Sequence, residues 1–285
     1  MWYEQDLSGD FISFSVHPLL ALVAAAAPDG RIDLFNNEGE RNAKAAIRRD
    51  ARPCLLAWHP TRKLLSVSWA NGTVAIWSDY EQVLREGNIH QVAVSCVEWS
   101  PNGARLVTAD EDGEVVVWKV DQRGRLSSIC QYRLKDTVTH CLFRTLKHKE
   151  SKPSECPPFF LAGRNGTIHY ADDMGHCSEG LSISSAIISL MMFELKEAVV
   201  VINEDLVLSQ YQLSADGKLT QELEVLLYPK AETGGGVKLS AGARVDKKAV
   251  QAIWVAVGVL ALCFGGNTIR IWDMVNEENH VLSLP

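Results

Sequence analysis

No Cys-x-x-Cys pair occurs in this chain. Its seven cysteines (Cys54, Cys96, Cys130, Cys141, Cys156, Cys177 and Cys263) stand singly, which removes the zinc-site and dithiol-redox readings. Their odd number and their places inside apolar runs fit reduced thiols packed as small hydrophobes, and a reducing compartment. Positive charge is short as well. Lys and Arg number 28 against 35 Asp and Glu, a net charge of −7 with pI near 5.6. That balance argues against a nucleic-acid binder, which carries a basic face. No apolar run reaches the ~20 residues of a membrane-spanning helix. Leu19–Ala27 ends in Pro28-Asp29-Gly30, and Ala249–Phe264 carries Gln251 and Gly258 and reads as two strands joined near that glycine. The opening residues Met1–Asp6 lack the positive segment of a secretory signal. Direct membrane insertion is therefore not expected.

What the chain does have is a repeated phrase. His17-Pro18, His59-Pro60 and Ser100-Pro101 open three blocks, with prolines 42 and 41 residues apart. Asp29-Gly30, Asn71-Gly72 and Asp112-Gly113 turn the chain, and Phe35, Trp77 and Trp118 close the strand five residues past each glycine. A strand–turn–aromatic unit at this period is the mark of propeller blades. The second block is the template. It gives strands over Leu55–Trp58, Leu64–Trp69 and Thr73–Trp77, a hairpin at Asn71-Gly72, and room for a polar outer strand up to Ile89.

Later blocks carry weaker wording. Asn165-Gly166 with Tyr170 marks a fourth and Asn203-Glu204-Asp205 with Tyr211 a fifth. Gly265-Gly266-Asn267 with Trp272-Asp273 marks a sixth. The surplus between blocks is expected in loops over Leu146–Pro158 and Lys230–Lys248. The reading is an all-β, WD-type β-propeller with about six blades present. Its blades fall at 8–48, 49–90, 91–134, 135–180, 181–229 and 245–285, with Met1–Leu7 available as an outer strand for the last. Six blades suit an incomplete seven-bladed ring, so the chain is expected to be the front part of a longer protein.

The repeat supplies the candidate residues, and all are structural. Trp58, Trp77, Trp99, Trp118 and Trp272 stand at repeat-equivalent places and are expected in the core. In the third block His90, Thr108, Asp110, Asp112 and Trp118 offer a hydrogen-bonded set that would satisfy itself while fixing the register. No catalytic, cofactor-binding or metal position rises above its structural explanation. His140-Cys141 are neighbours on a strand and point to opposite faces, so they form no nucleophile–base dyad. His169 and His176-Cys177 lack a second ligand pair, and Lys147-His148-Lys149 reads as solvated. Gly234-Gly235-Gly236-Val237-Lys238-Leu239-Ser240 lacks the Gly-Lys-Ser/Thr ending of a phosphate loop.

The wording between the repeats resembles one family. Trp58-His59-Pro60-Thr61-Arg62, Trp69, Trp99-Ser100-Pro101, Asp121-Gln122-Arg123-Gly124-Arg125, Thr139-His140-Cys141-Leu142-Phe143-Arg144 and Gly166-Thr167-Ile168-His169-Tyr170 follow in order. Together they resemble the N-terminal propeller of the 140-kilodalton subunit of intraflagellar transport complex A. The resemblance implies a non-enzymatic scaffold with no cofactor. Its implied partners are the other complex A subunits and cargo adaptors, and its implied place is the cilium, with basal body and axoneme, and the cytoplasm. Retrograde transport, cilium assembly and delivery of membrane receptors to cilia are the implied roles. Two departures stand out: the Arg144–Phe159 segment is shorter than the family's insertion, and the second propeller and helical tail are not in these residues. The alternative is a WD-type adaptor of a vesicle coat or ubiquitin ligase. Against the ligase version, the residue two past Asp273 is Val275 rather than Arg.

Overall fold

The computed structural model describes residues 10–42, 45, 47–145, 156–214, 216–227, 250–264 and 268–283. They form six four-stranded antiparallel sheets, and no α-helix occurs among them. The first sheet holds β1 (Ser13–Val16), β2 (Val23–Ala26), β3 (Arg31–Phe35) and β4 (Ile47–Arg48). The second holds β5 (Pro53–Trp58), β6 (Leu64–Trp69), β7 (Val74–Ser78) and β8 (Val83–Gly87). The third holds β9 (Val94–Trp99), β10 (Arg105–Asp110), β11 (Glu114–Val120) and β12 (Leu126–Arg133). The fourth holds β13 (Val138–Phe143), β14 (Phe159–Gly163), β15 (Thr167–Ala171) and β16 (Cys177–Ser182). The fifth holds β17 (Ile187–Phe193), β18 (Ala198–Asn203), β19 (Val207–Leu213) and β20 (Leu219–Leu226). The sixth holds β21 (Val250–Ala256), β22 (Val259–Phe264), β23 (Thr268–Asp273) and β24 (Glu278–Ser283).

Each sheet runs in sequence order, so strands consecutive in the chain are antiparallel neighbours. The second strand of a sheet is covered on both faces, which is why it reads as a continuous apolar run rather than an alternation. Every residue of β6, β10 and β18 is buried. Fourth strands have one wet face and read accordingly: β20, Leu-Thr-Gln-Glu-Leu-Glu-Val-Leu, is exposed over most of its length.

Contacts divide the chain into two compact units, Met1–Arg164 with Ile168–Glu179 and Asn165–Thr167 with Gly180–Pro285. Inside the first unit β1 lies against β5, β5 against β9, and β9 against β13, the radial order of propeller blades. Inside the second, β17 lies against β21. Met1–Leu7, Lys147–Lys149, Lys230–Lys248 and Gly265–Asn267, all of which the sequence reading used, lie outside the described residues.

Register tests the repeat most directly. Phe35 pairs with Val23, Trp77 with Leu65, Trp118 with Leu106, Tyr211 with Val199 and Trp272 with Leu260. All five aromatics hold the same register position between the second and third strands of their sheets, on the same face. The fourth sheet departs from this. Tyr170 pairs with Phe160, one residue short of the repeat position, and faces the other way. Ala171 occupies the repeat position opposite Phe159, which is fully buried with its ring 5.3 Å from that of Phe143. The bulk has crossed to the neighbouring strand, a swap that conserves core volume.

Candidate functional site

The third sheet holds a buried polar chain whose proton order is set by its ends. Trp118 Nε1–H, a donor only, lies 2.8 Å from Thr108 Oγ1, and Thr108 Oγ1 lies 2.7 Å from His90 Nε2. His90 Nδ1 meets Asp110 Oδ2 at 3.0 Å, so its N–H donates to the carboxylate and Nε2 accepts the threonine hydroxyl. Burial pushes His90 below the ordinary imidazole range, against the opposing pull of Asp110, which keeps the ring neutral as this order requires. The other oxygen, Asp110 Oδ1, accepts from the N–H groups of Asp112 and Glu114 at 3.0 and 2.9 Å. The carboxylate facing His90 is therefore Asp110. Asp112 is exposed at the hairpin tip and contributes its N–H, because two residues farther round the turn its side chain has left the sheet.

By the same register, the second sheet puts Val67 where Thr108 stands and Trp69 where Asp110 stands. Both are fully buried, and the Arg49 guanidinium lies 4.8 Å from the Trp69 ring. One sheet locks its end with a polar chain and its neighbour with an aromatic plug.

Neighbouring sheets of the first unit are stitched by a second repeated set. Trp58 Nε1–H donates to the Ser15 carbonyl and Trp99 Nε1–H to the Ala57 carbonyl, both at 3.1 Å. Each tryptophan ends an innermost strand and reaches back to the innermost strand before it. The His-Pro turns add a forward link. His17 Nδ1 accepts from the N–H groups of Leu19 and Leu20, leaving Nε2–H to donate to the Arg62 carbonyl at 3.1 Å. His59 repeats this, with Nδ1 on Thr61 and Arg62 N–H and Nε2 at 3.1 Å from the Gly103 carbonyl. Burial, aided by the Arg62 charge, pushes His59 down to about 4.

The turns between third and fourth strands escaped the sequence reading, although a signal is present. Asn36-x-x-Gly39, Asp121-x-x-Gly124, Asp172-x-x-Gly175 and Ser214-x-x-Gly217 share one pattern, with positive φ at each glycine. Asn36, Asp121 and Asp172 each accept two main-chain N–H groups two and four residues on. The Asp-Gln-Arg-Gly-Arg phrase is one of these turns.

With up-and-down strands, the His-Pro turns and these turns share one end of each sheet. There a cleft of about 270 Å³ opens between the first two sheets, lined by Leu22, Leu34, Trp58, Trp77, Arg41 and Asp79. Nothing in it pairs a nucleophile with a base. Burial raises the thiols of Cys54, Cys96, Cys130, Cys141, Cys156 and Cys177, which suppresses thiolate. Among the described residues, no group of three His, Cys, Asp or Glu could hold a metal ion, and no helix is long and apolar enough to cross a membrane.

Six such sheets, five of them with the matched aromatic, and the stitching inside the first unit define a WD-type β-propeller protein. Solved structures agree on the fold. The C-terminal WD40 domain of Sif2 superposes with a TM-score of 0.70 at 14% identity, over 96% of this chain and 73% of that one. The computationally designed Ika8 protein gives 0.65 at 16%, over 93% and 72%. The chain matches the family "IFT140 first beta-propeller" over residues 5–154 and 146–285, and belongs to it. A "Probable cytosolic Fe-S cluster assembly factor" of Schizosaccharomyces japonicus is 33% identical over 124 residues, 39% of this chain and 19% of that protein. The chain thus spans about a fifth of that relative's length.

Proposed function

We propose that this chain is the scaffold part of an intraflagellar transport complex A subunit. It binds proteins and performs no chemistry of its own. Membership of the IFT140 first-propeller family, matched along nearly the whole chain, carries this reading. Its implied partners are the other complex A subunits and cargo adaptors, and its implied site is the cilium, basal body and axoneme, with a cytoplasmic pool. Retrograde transport, cilium assembly and receptor delivery are the roles that follow. The geometry supports a binding module: the polar set of the third sheet is consumed in holding register, and the turns present variable side chains on a rigid frame.

The test is affinity purification of the tagged full-length protein from ciliated cells. Recovery of other complex A subunits, lost when the residues of this propeller are deleted, is the expected result. A purification that recovers none of them overturns the proposal.

A further inference from the structure

Arg62 is a half-buried cation with no carboxylate of its own. Its guanidinium donates to the carbonyls of Gly103 and Asp121, at 3.3 and 3.4 Å, and its Nε lies 2.8 Å from His59 Nε2, whose own proton points to the Gly103 carbonyl. These acceptors are neutral, and no ion pair to Arg62 occurs among the described residues. Burial pushes its pKa down, with only the nearby Asp121 opposing. The main chain at Arg62 is held as well, since its carbonyl accepts from His17. A guanidinium fixed in this way and short of a counter-ion is a prepared anion receptor.

It opens onto a cleft of about 350 Å³ lined by Arg62, Lys63, Leu64, Asp79, Tyr80 and Gln122. Tyr80 is 95% exposed, a large ring held out on the turn between β7 and β8 with nothing packed on it. Asp79 also lines the apolar cleft built on Leu22, Leu34, Trp58 and Trp77, so the two openings are neighbours on one end of the second sheet. Lys63, which lines the opening at Arg62, lies 3.5 Å from Asp79, and Arg123, next in sequence to the lining residue Gln122, reaches Glu81 at 3.7 Å.

We propose that this pair of clefts docks an extended segment of a partner protein that carries a carboxylate side chain near an apolar one. The carboxylate pairs with Arg62, the chain crosses Tyr80, and the apolar side chain enters the cleft walled by Trp58 and Trp77. A protein fits better than a nucleic acid. Asp79 and Glu81 stand among the cations and would repel a run of phosphates, whereas a single carboxylate needs only the one guanidinium. The inference shares with the scaffold reading only the premise that the chain binds protein, and its test does not involve complex A subunits.

The probe is a displayed library of random peptides selected on the intact chain, with synthetic peptides then titrated by fluorescence anisotropy. Selected peptides should pair Asp or Glu with Leu, Phe or Trp. Their affinity should fall about tenfold for Arg62→Gln and again for Tyr80→Ala, and should weaken with added salt. Arg62→Gln also disturbs the contact with His59. Tyr80→Ala touches an exposed ring alone, so its effect is read against an unchanged circular dichroism spectrum and melting temperature. Selection of no acidic peptide, or equal affinity for the native chain and Tyr80→Ala, overturns the proposal. So does an oligothymidylate that binds as tightly and is lost in the same two variants.

Discussion

Thr108 is the pivot of the third sheet because its hydroxyl is acceptor to one buried ring and donor to another. Thr108→Val keeps the shape and removes both bonds, leaving Trp118 Nε1–H and His90 Nε2 buried without partners. The expected loss is about 1–3 kcal/mol in urea unfolding, with Thr108→Ser losing distinctly less. Two buried histidines make a separate prediction about pH. His59 has its pKa depressed to about 4 from an ordinary 6.5, and His90 shifts in the same direction. Between those values the unfolded chain binds protons that the folded chain refuses. Stability from the His59 ring is therefore complete above pH 6.5 and drains as pH falls toward 4, and His90 adds a loss in the same direction. His59→Asn should flatten the urea midpoint over that window, and an undiminished slope would contradict the neutral, buried ring.

At the scale of the hairpin, glycines at the second-to-third-strand turns serve two ends. Gly72 has φ +83, and a Cβ there would stand 2.4 Å from the His90 carbonyl oxygen and 2.7 Å from its carbon. Gly30, Gly113 and Gly166 meet main-chain carbonyls of their own following connections in the same way. The turn is packed on the backbone leading to the next sheet. Gly175, on a third-to-fourth-strand turn, has φ +99 and nothing within 4 Å. Gly72→Ala should therefore cost about 2–4 kcal/mol, adding a main-chain clash to the conformational penalty. Gly175→Ala should cost only the ~1–2 kcal/mol of the left-handed conformation. Equal losses in thermal melts would remove the packing argument. These same glycines made the fold legible in sequence, since a close approach admits no other residue and the dipeptide recurs at the blade period. Signals fade where chemistry can be traded. Phe159 and Ala171 exchange bulk across a strand pair, so the aromatic at Tyr170 marks the wrong register. Asp110 and Asp112 are alike as letters, and only the turn geometry selects the one that meets His90. The clefts at Arg41, Arg62 and Tyr80 carry no pattern at all, because side chains on turns vary without changing the sheet beneath them.

Across the whole molecule, burial is uneven between strands that hold equivalent places in their sheets. β5, β9 and β13 are mostly covered, whereas the strand edge at β1 leaves Phe14 at 74% and Val16 at 56% exposed, with Ile12 at 39% just before it. Their alternation puts Phe14 and Val16 on one face while Ser13 and Ser15 point the other way. The second unit has its own bare strand at β21, where Ile253 and Val255 are 61% and 51% exposed, with Val257 at 73% just after it. Contiguous apolar surface of this kind is uncommon on a solitary soluble domain, and the water it orders is released by association at ~25 cal/mol for each Å² covered. The isolated chain is therefore expected to self-associate at micromolar concentration. Replacing Phe14 and Val16 together by Ser removes apolar area without touching the core, so it should lower the weight-average mass in sedimentation equilibrium while leaving the melting temperature nearly unchanged. Tyr80→Ala, a lone ring on a polar turn, should leave the mass as it is. If the double replacement leaves the mass unaltered and Tyr80→Ala lowers it, association runs through the turn end of the sheets, and the apolar face of β1 is not its cause.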